Sequence, residues 1–249
     1  MSGHSKWASI KHKKAIVDSR RGKLFTKLAR AVTVAAKEGG GDPEGNPSLA
    51  LAIQKARDAS MPKDNIERAI AKGTGAGADA AALEAVLYEG YGPGGVAVLV
   101  EAVTDNRNRT SADVRHTFAK HGGNLGEPGS VSYLFDKKGL VVVDAERYGE
   151  DDLMVAIDAG AEDIALDDDV YEIICEPSEL NAVREALAAA GVELEAAEVS
   201  QRPKTRVPLD EDGAGKLLRL VDALEEHDDV DAVHANFDVD SEILERVMG

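Results

Sequence analysis

The sequence predicts an α+β protein: a small amino-terminal helical bundle followed by two ferredoxin-like α/β domains, one inserted into the other. Three observations predict it. Helix-period apolar spacing dominates residues 20–73, strand-like apolar runs begin only near residue 85, and from Gly139 the elements read β-α-β-β-α-β. A chain of 249 residues suits two or three compact units. With 43% hydrophobic but only 4% aromatic residues, its cores must be built from Ala, Val, Leu and Ile.

Each element has a local reason. Residues 2–16 hold Gly3, Trp7, two His and four Lys without an apolar stripe, and read as an extended arm. From Arg20 to Lys37, Leu24, Leu28, Val32 and Ala35 recur at helical spacing, and Gly39-Gly40-Gly41 ends the run. A second helix is expected over Ser48–Ala59 after Asn46-Pro47. A third follows Met61-Pro62, with Ile66, Ala69 and Ile70 inward. The glycine-spaced stretch 73–78 has no preceding strand and no Gly-Lys-Ser/Thr, so it reads as linker rather than phosphate loop. Strands Ala85–Tyr91 and Val96–Val103 flank Gly92-Pro93-Gly94-Gly95, a turn signal. A helix is expected to start at a capping box over Thr110–Asp113, and Val131–Phe135 reads as a strand.

Beyond Gly139 the expected elements are strand Leu140–Val143, helix Asp151–Ala159, strands Ile164–Leu166 and Tyr171–Glu176, helix Ser178–Ala190 and strand Val192–Val199. Helix Asp212–Glu226 and strand Ala232–Val239 then follow. The preceding unit has strand, strand, helix, strand, and these last two elements could complete its sheet. The expected domains are therefore 1–78, basic and helical with its arm; 79–138 with 203–249, a discontinuous middle α/β domain; and 139–202, inserted. A separate small carboxyl-terminal domain is the alternative.

Charge is distributed unevenly. The net charge is −17, yet residues 1–72 hold ten Lys and five Arg against seven acids, and residues 1–37 hold ten cations against Asp18 alone. The remaining residues carry a net −25. Screening over about 8–10 Å makes a partner respond to the local patch rather than the total. A basic head of this kind fits a phosphate-bearing partner; organelle-targeting segments share such composition. The lone Cys175 excludes an internal disulfide framework and suits a reducing, cytoplasmic setting. No apolar run reaches membrane-span length, so no membrane partner is expected.

Enzyme signatures are absent: no nucleophile elbow, HExxH, paired Cys-x-x-Cys or P-loop. No catalytic residue, metal or cofactor is expected. The candidates are cations. Lys6, Lys11, His12, Lys13 and Lys14 in the arm, with Arg20 and Arg21, can meet phosphates. Trp7 can stack on an exposed base or pin the arm onto the bundle. Lys23, Lys27 and Arg30 continue the track along the first helix, unless they are simply a solvated face. Arg107 and Arg109 stand beside a helix start, where cations oppose the macrodipole but free N–H groups attract an anion. The alternative is a polar turn with either arginine paired to the acidic body. Cys175 alternates with Tyr171 and Ile173 and reads as core.

Several motifs together carry a family resemblance: Gly3-His4-Ser5-Lys6-Trp7, Gly40-Gly41-Asp42-Pro43, Asn65-Ile66-Glu67-Arg68-Ala69-Ile70, Tyr88-Glu89-Gly90-Tyr91-Gly92-Pro93, Asp105-Asn106-Arg107-Asn108-Arg109 and Gly129-Ser130-Val131-Ser132-Tyr133-Leu134-Phe135. On these the chain resembles the YebC/PmpR family from Met1 to about Val239. The resemblance implies a cytoplasmic three-domain protein that regulates gene expression without catalysis. Family members are described as DNA-binding transcriptional regulators; others, including a mitochondrial relative, look like ribosome-associated factors that relieve stalled peptide synthesis. The implied partner is nucleic acid, either DNA or ribosomal RNA with the ribosome. The sequence carries no sign of an oligomeric state.

Overall fold

The computed structural model describes residues 21–75, 83–167 and 169–248. Helices α1 (Arg21–Gly39), α2 (Pro47–Asp58) and α3 (Lys63–Gly73) form the amino-terminal bundle. Its core is Val32, Ala35, Ala36, Leu49, Ile53, Ala56, Met61, Ile66 and Ala69, the positions helical periodicity turns inward. Asn46 caps α2, its Oδ1 accepting from Leu49 N at 3.1 Å, while its Nδ2 donates to the Ala35 and Gly40 carbonyls. One buried side chain thus ends α1 and starts α2.

The first sheet contains β1 (Glu84–Tyr91), β2 (Ala97–Thr104), β3 (Asn124–Leu125) and β9 (Val230–Ala235), in the antiparallel order β3-β1-β2-β9. The β1–β2 turn runs through Gly94 and Gly95 at φ +75° and +78°, a region that favours glycine. Helices α4 (Arg107–Lys120) and α8 (Glu211–Glu225) bury Val114, Phe118, Leu217, Leu220 and Leu224 against this sheet. A strand from the carboxyl-terminal part therefore lies beside one from residues 97–104.

The second sheet has β4 (Phe135–Asp144), β5 (Ala161–Asp167), β6 (Val170–Cys175) and β7 (Ala196–Pro203), in the antiparallel order β5-β6-β4-β7. Two short helices, α5 (Glu150–Leu153) and α6 (Val155–Asp158), join α7 (Leu180–Ala189) in covering one face. Leu153, Ala156, Leu180, Val183 and Leu187 meet Val141, Val143, Ile173 and Cys175 there. This strand order and its helix crossovers make the split β-α-β arrangement. Cys175 is fully buried in that core, and burial pushes its thiol up to about 11.

Several local readings need correction. Val131–Phe135 is not a strand: Ser132–Leu134 is a 3₁₀ turn, and β4 runs unbroken from Phe135 to Asp144. The amides of Val131 and Ser132 donate to a buried carboxylate and are not available for a ladder. The expected boundary between 138 and 139 consequently falls inside β4. Helix α4 starts at Arg107, not Thr110, because Asn106 caps it; Asn106 Oδ1 accepts from Arg109 N at 3.1 Å. The expected strand Ala232–Val239 is broken at Asn236, which is buried and bonds Ala97 N and the Thr205 carbonyl. Beyond it, β10 (Phe237–Asp238) pairs in parallel with β8 (Val207–Pro208), and a final helix, α9 (Ser241–Met248), follows.

Candidate nucleic-acid interface

Among the expected contacts, Lys6, Trp7, Lys11, His12, Lys13, Lys14 and Arg20 lie outside the described residues. Arg21 opens α1, and its side chain is likewise outside what is described. The remaining five fall into two groups far apart in sequence, and the fold brings four of them to one place.

That place is the turn between α8 and β9. Lys27 Nζ donates to the Glu225 carbonyl at 2.5 Å. Arg30 Nη1 donates to the Asp228 carbonyl at 3.0 Å and to Asp229 Oδ1 at 2.7 Å. Lys23 Nζ lies 3.5 Å from Asp228 Oδ1, both side chains well exposed. From the opposite side, Arg109 Nη2 donates to Asp229 Oδ2 at 2.8 Å and to Asp105 Oδ1 at 3.0 Å. Thr110 Oγ1 donates to the same Asp229 oxygen at 2.7 Å, and the Thr104 hydroxyl stands 2.8 Å from Thr110 Oγ1.

Asp229 is thus shared by the helical bundle and the first sheet. Its side chain is only 4% exposed, and an ionised carboxylate buried so deeply persists only if paired and hydrogen-bonded. Burial raises its pKa, but hydrogen bonds from Arg109, Thr110 and Arg30 outweigh that and bring it down to about 2. The same contact, led by its hydrogen bond to Asp229, raises Arg109 further above its ordinary value. The cations of α1 and of the α4 start therefore hold the chain's own acidic turn in this state. Arg109 takes the paired alternative, while Arg107 stays exposed beside it.

No local sequence signal marks Asp229. It lies in the run Glu225-Glu226-His227-Asp228-Asp229-Val230-Asp231, which reads as solvated acidity. Only its position one residue before the apolar strand β9 could have hinted at burial.

A second buried carboxylate organises a neighbouring loop. Glu89 on β1 accepts from Gly129 N at 2.7 Å and from Val131 N and Ser132 N at 2.8 Å each. Burial alone would raise its pKa, yet these three amides leave it below the usual value. Tyr91 Oη donates to the Ser130 carbonyl at 3.0 Å. The Tyr88–Pro93 and Gly129–Phe135 motifs are therefore one structural unit. It holds Tyr133 in the open, 63% exposed.

Among the described residues, no helix is long and apolar enough to cross a membrane, and no cluster of three or more His, Cys, Asp or Glu could hold a metal ion.

Comparison with known proteins agrees along the chain. A family model described as "TACO1/YebC protein N-terminal domain" matches residues 5–76, and one described as "TACO1/YebC second and third domain" matches residues 83–237. A protein of Rubrobacter xylanophilus named "Probable transcriptional regulatory protein" is 58% identical over the full length of both chains. One of the same name from Acidothermus cellulolyticus is 55% identical over 99% of this chain and all of its own. The crystal structure of the conserved hypothetical protein Aq1575 from Aquifex aeolicus superposes with a TM-score of 0.84 at 52% identity, covering 96% of this chain and 99% of that one. With both family models matched and identity above half along its length, the chain belongs to the TACO1/YebC family.

Proposed function

We propose that this chain regulates gene expression by binding nucleic acid through the face where α1 meets the start of α4. The observation that carries the reading is convergence: Lys23, Lys27, Arg30 and Arg109, drawn from two domains, lie around one turn of an otherwise acidic body, with the exposed Arg107 two residues from Arg109. Phosphates compete for such cations in the same charge-assisted geometry that Asp228 and Asp229 use. The basic arm, Lys6 to Lys14, would extend the contact from the same domain. The names of the relatives direct the reading to transcription and so to duplex DNA. The sequence's lack of enzyme motifs and its lone Cys175 lead us to read the role as non-catalytic and cytoplasmic.

A second reading has its own support. Neither α2 nor α3 presents a uniformly basic face of the kind a groove-reading helix uses. The outer side of α3 alternates Lys63, Asp64, Glu67 and Arg68, and Lys55 on α2 is paired with Glu198. Such a surface suits ribosomal RNA, whose irregular shape is met through phosphates and stacking.

Binding of the full chain to a duplex promoter fragment and to ribosomal RNA, each across a salt series, tests both. Lys23→Gln with Lys27→Gln should flatten the log–log salt slope by about 1.8 on duplex DNA. An unchanged slope on both probes would refute the face. In-cell crosslinking with sequencing of DNA and RNA then separates promoter from ribosome.

A further inference from the structure

Helix α4 is the most basic element of the acidic body. Its fourteen residues carry Arg107, Arg109, Arg115, Lys120 and His116 against a single acid, Asp113. That acid faces away from the cations' role: Asp113 Oδ2 lies 3.2 Å from His227 Nε2, while His227 Nδ1 accepts from Asp229 N at 3.1 Å. The ring therefore offers its Nε2–H to Asp113. The inner side of α4 is fixed by Thr110, Val114 and Phe118, all buried. By helical geometry the opposite side then carries Asn108, Ala112, Arg115, His116, Ala119 and Lys120, and all six are exposed.

The cations differ in how they are held. Lys23, Lys27, Arg30 and Arg109 are engaged within the chain. Arg107, Arg115 and Lys120 make no side-chain hydrogen bond or ion pair with a described residue. A stretch of cations unpaired among the described residues, in a body of net −25, is a local reversal of field. It starts beside Asp229, where the α1 cations end. From Arg107 to Lys120 it spans roughly 20 Å, the length of about six base steps.

We propose that the exposed face of α4 is a further contact for a phosphodiester backbone, with Arg115 and Lys120 as its binding residues and Arg107 joining it to the α1 face. The inference rests on the reading of the chain as a nucleic-acid binder and adds a surface to it. Duplex DNA and ribosomal RNA share the chemistry, and the probes distinguish them.

The test uses the full chain, a duplex DNA fragment and purified ribosomal RNA. Arg115→Gln with Lys120→Gln removes two exposed charges and leaves Val114, Phe118 and the His227–Asp113 contact intact; an unchanged melting temperature verifies the fold. On the probe that binds, affinity should fall about tenfold or more, and the salt slope should flatten by about 1.8 for duplex or about 1.4 for single-stranded RNA. Arg57→Gln with Lys72→Gln, an equal charge loss elsewhere, should flatten it far less. If the α4 and control variants weaken binding equally, or the α4 variant binds as the parent does, the α4 site is overturned. If in that case Lys23→Gln with Lys27→Gln still weakens binding, the broader reading survives. If the parent chain binds neither probe, both fall together.

Discussion

Glu89 on β1 and Asp229 at the entry to β9 belong to one sheet with β2 between them, both buried, both ionised and both held below their ordinary pKa. They differ in what satisfies them. Asp229 is met by side chains: two guanidinium groups and a hydroxyl, supplied by elements 119 to 199 residues away in sequence. Glu89 is met by three backbone amides of one loop some 40 residues away. Backbone donors fix a loop in a single shape, because the amides have no rotamers to lose. Side-chain donors can be exchanged for other ligands of the same charge. A carboxylate bound by amides therefore builds architecture, and one bound by arginines builds a contact open to competition from phosphate.

Removing Asp229 tests this difference most severely. Asp229→Ala removes the buried acceptor that Arg30, Arg109 and the Thr110 hydroxyl share, and should cost about 3 kcal/mol in urea unfolding. A loss below about 1 kcal/mol would mean that the turn is held by packing instead. Glu89→Gln should cost about 2 kcal/mol, since an amide cannot accept three N–H bonds as a carboxylate does. Its signature is local: hydrogen exchange should quicken at Gly129, Val131 and Ser132 while α1 keeps its protection.

Acid titration sharpens the comparison. Asp229 has a folded pKa of about 2 against an ordinary 3.8. Its contribution is therefore complete above pH ~4 and is lost as pH falls toward 2, amounting to about 2 kcal/mol. Glu89 acts in the same direction. The parent chain should lose stability across that window more steeply than Asp229→Asn; parallel curves would remove Asp229 as the cause. Smallest is Lys23→Ala, whose pair with Asp228 is exposed on both sides. Its effect on stability should stay below about 0.5 kcal/mol, although its effect on nucleic-acid binding should be measurable.

Much of the secondary structure was legible because it follows local rules. Apolar spacing placed α1 to α3, and Gly92–Gly95 placed the β1–β2 turn, each within about two residues of its structural bounds. What misled were residues whose backbone partners come from elsewhere. Val131–Phe135 has strand-like composition, but Glu89 captures its amides. Ala232–Val239 looks continuous, but Asn236 bonds two other segments and divides it. For the site, Lys23, Lys27, Arg30 and Arg109 could be named from charge, yet the acidic turn that engages them, with Asp229 shared by the two arginines, could not. A solvated and a buried aspartate have the same letter, and burial depends on contacts across more than 100 residues.

The sequence by itself determined the helix-then-sheet order, the apolar cores and the concentration of positive charge at one end, because periodicity and composition are local quantities. The family followed from short motifs in the same way. Tertiary structure alone decided that Arg30 of α1 and Arg109 of α4 share one buried aspartate, and that Arg115 and Lys120 remain open to solvent. Charge in a sequence states how much is present; which charges neutralise one another is set by distances of about 3 Å, and only the packed fold fixes those.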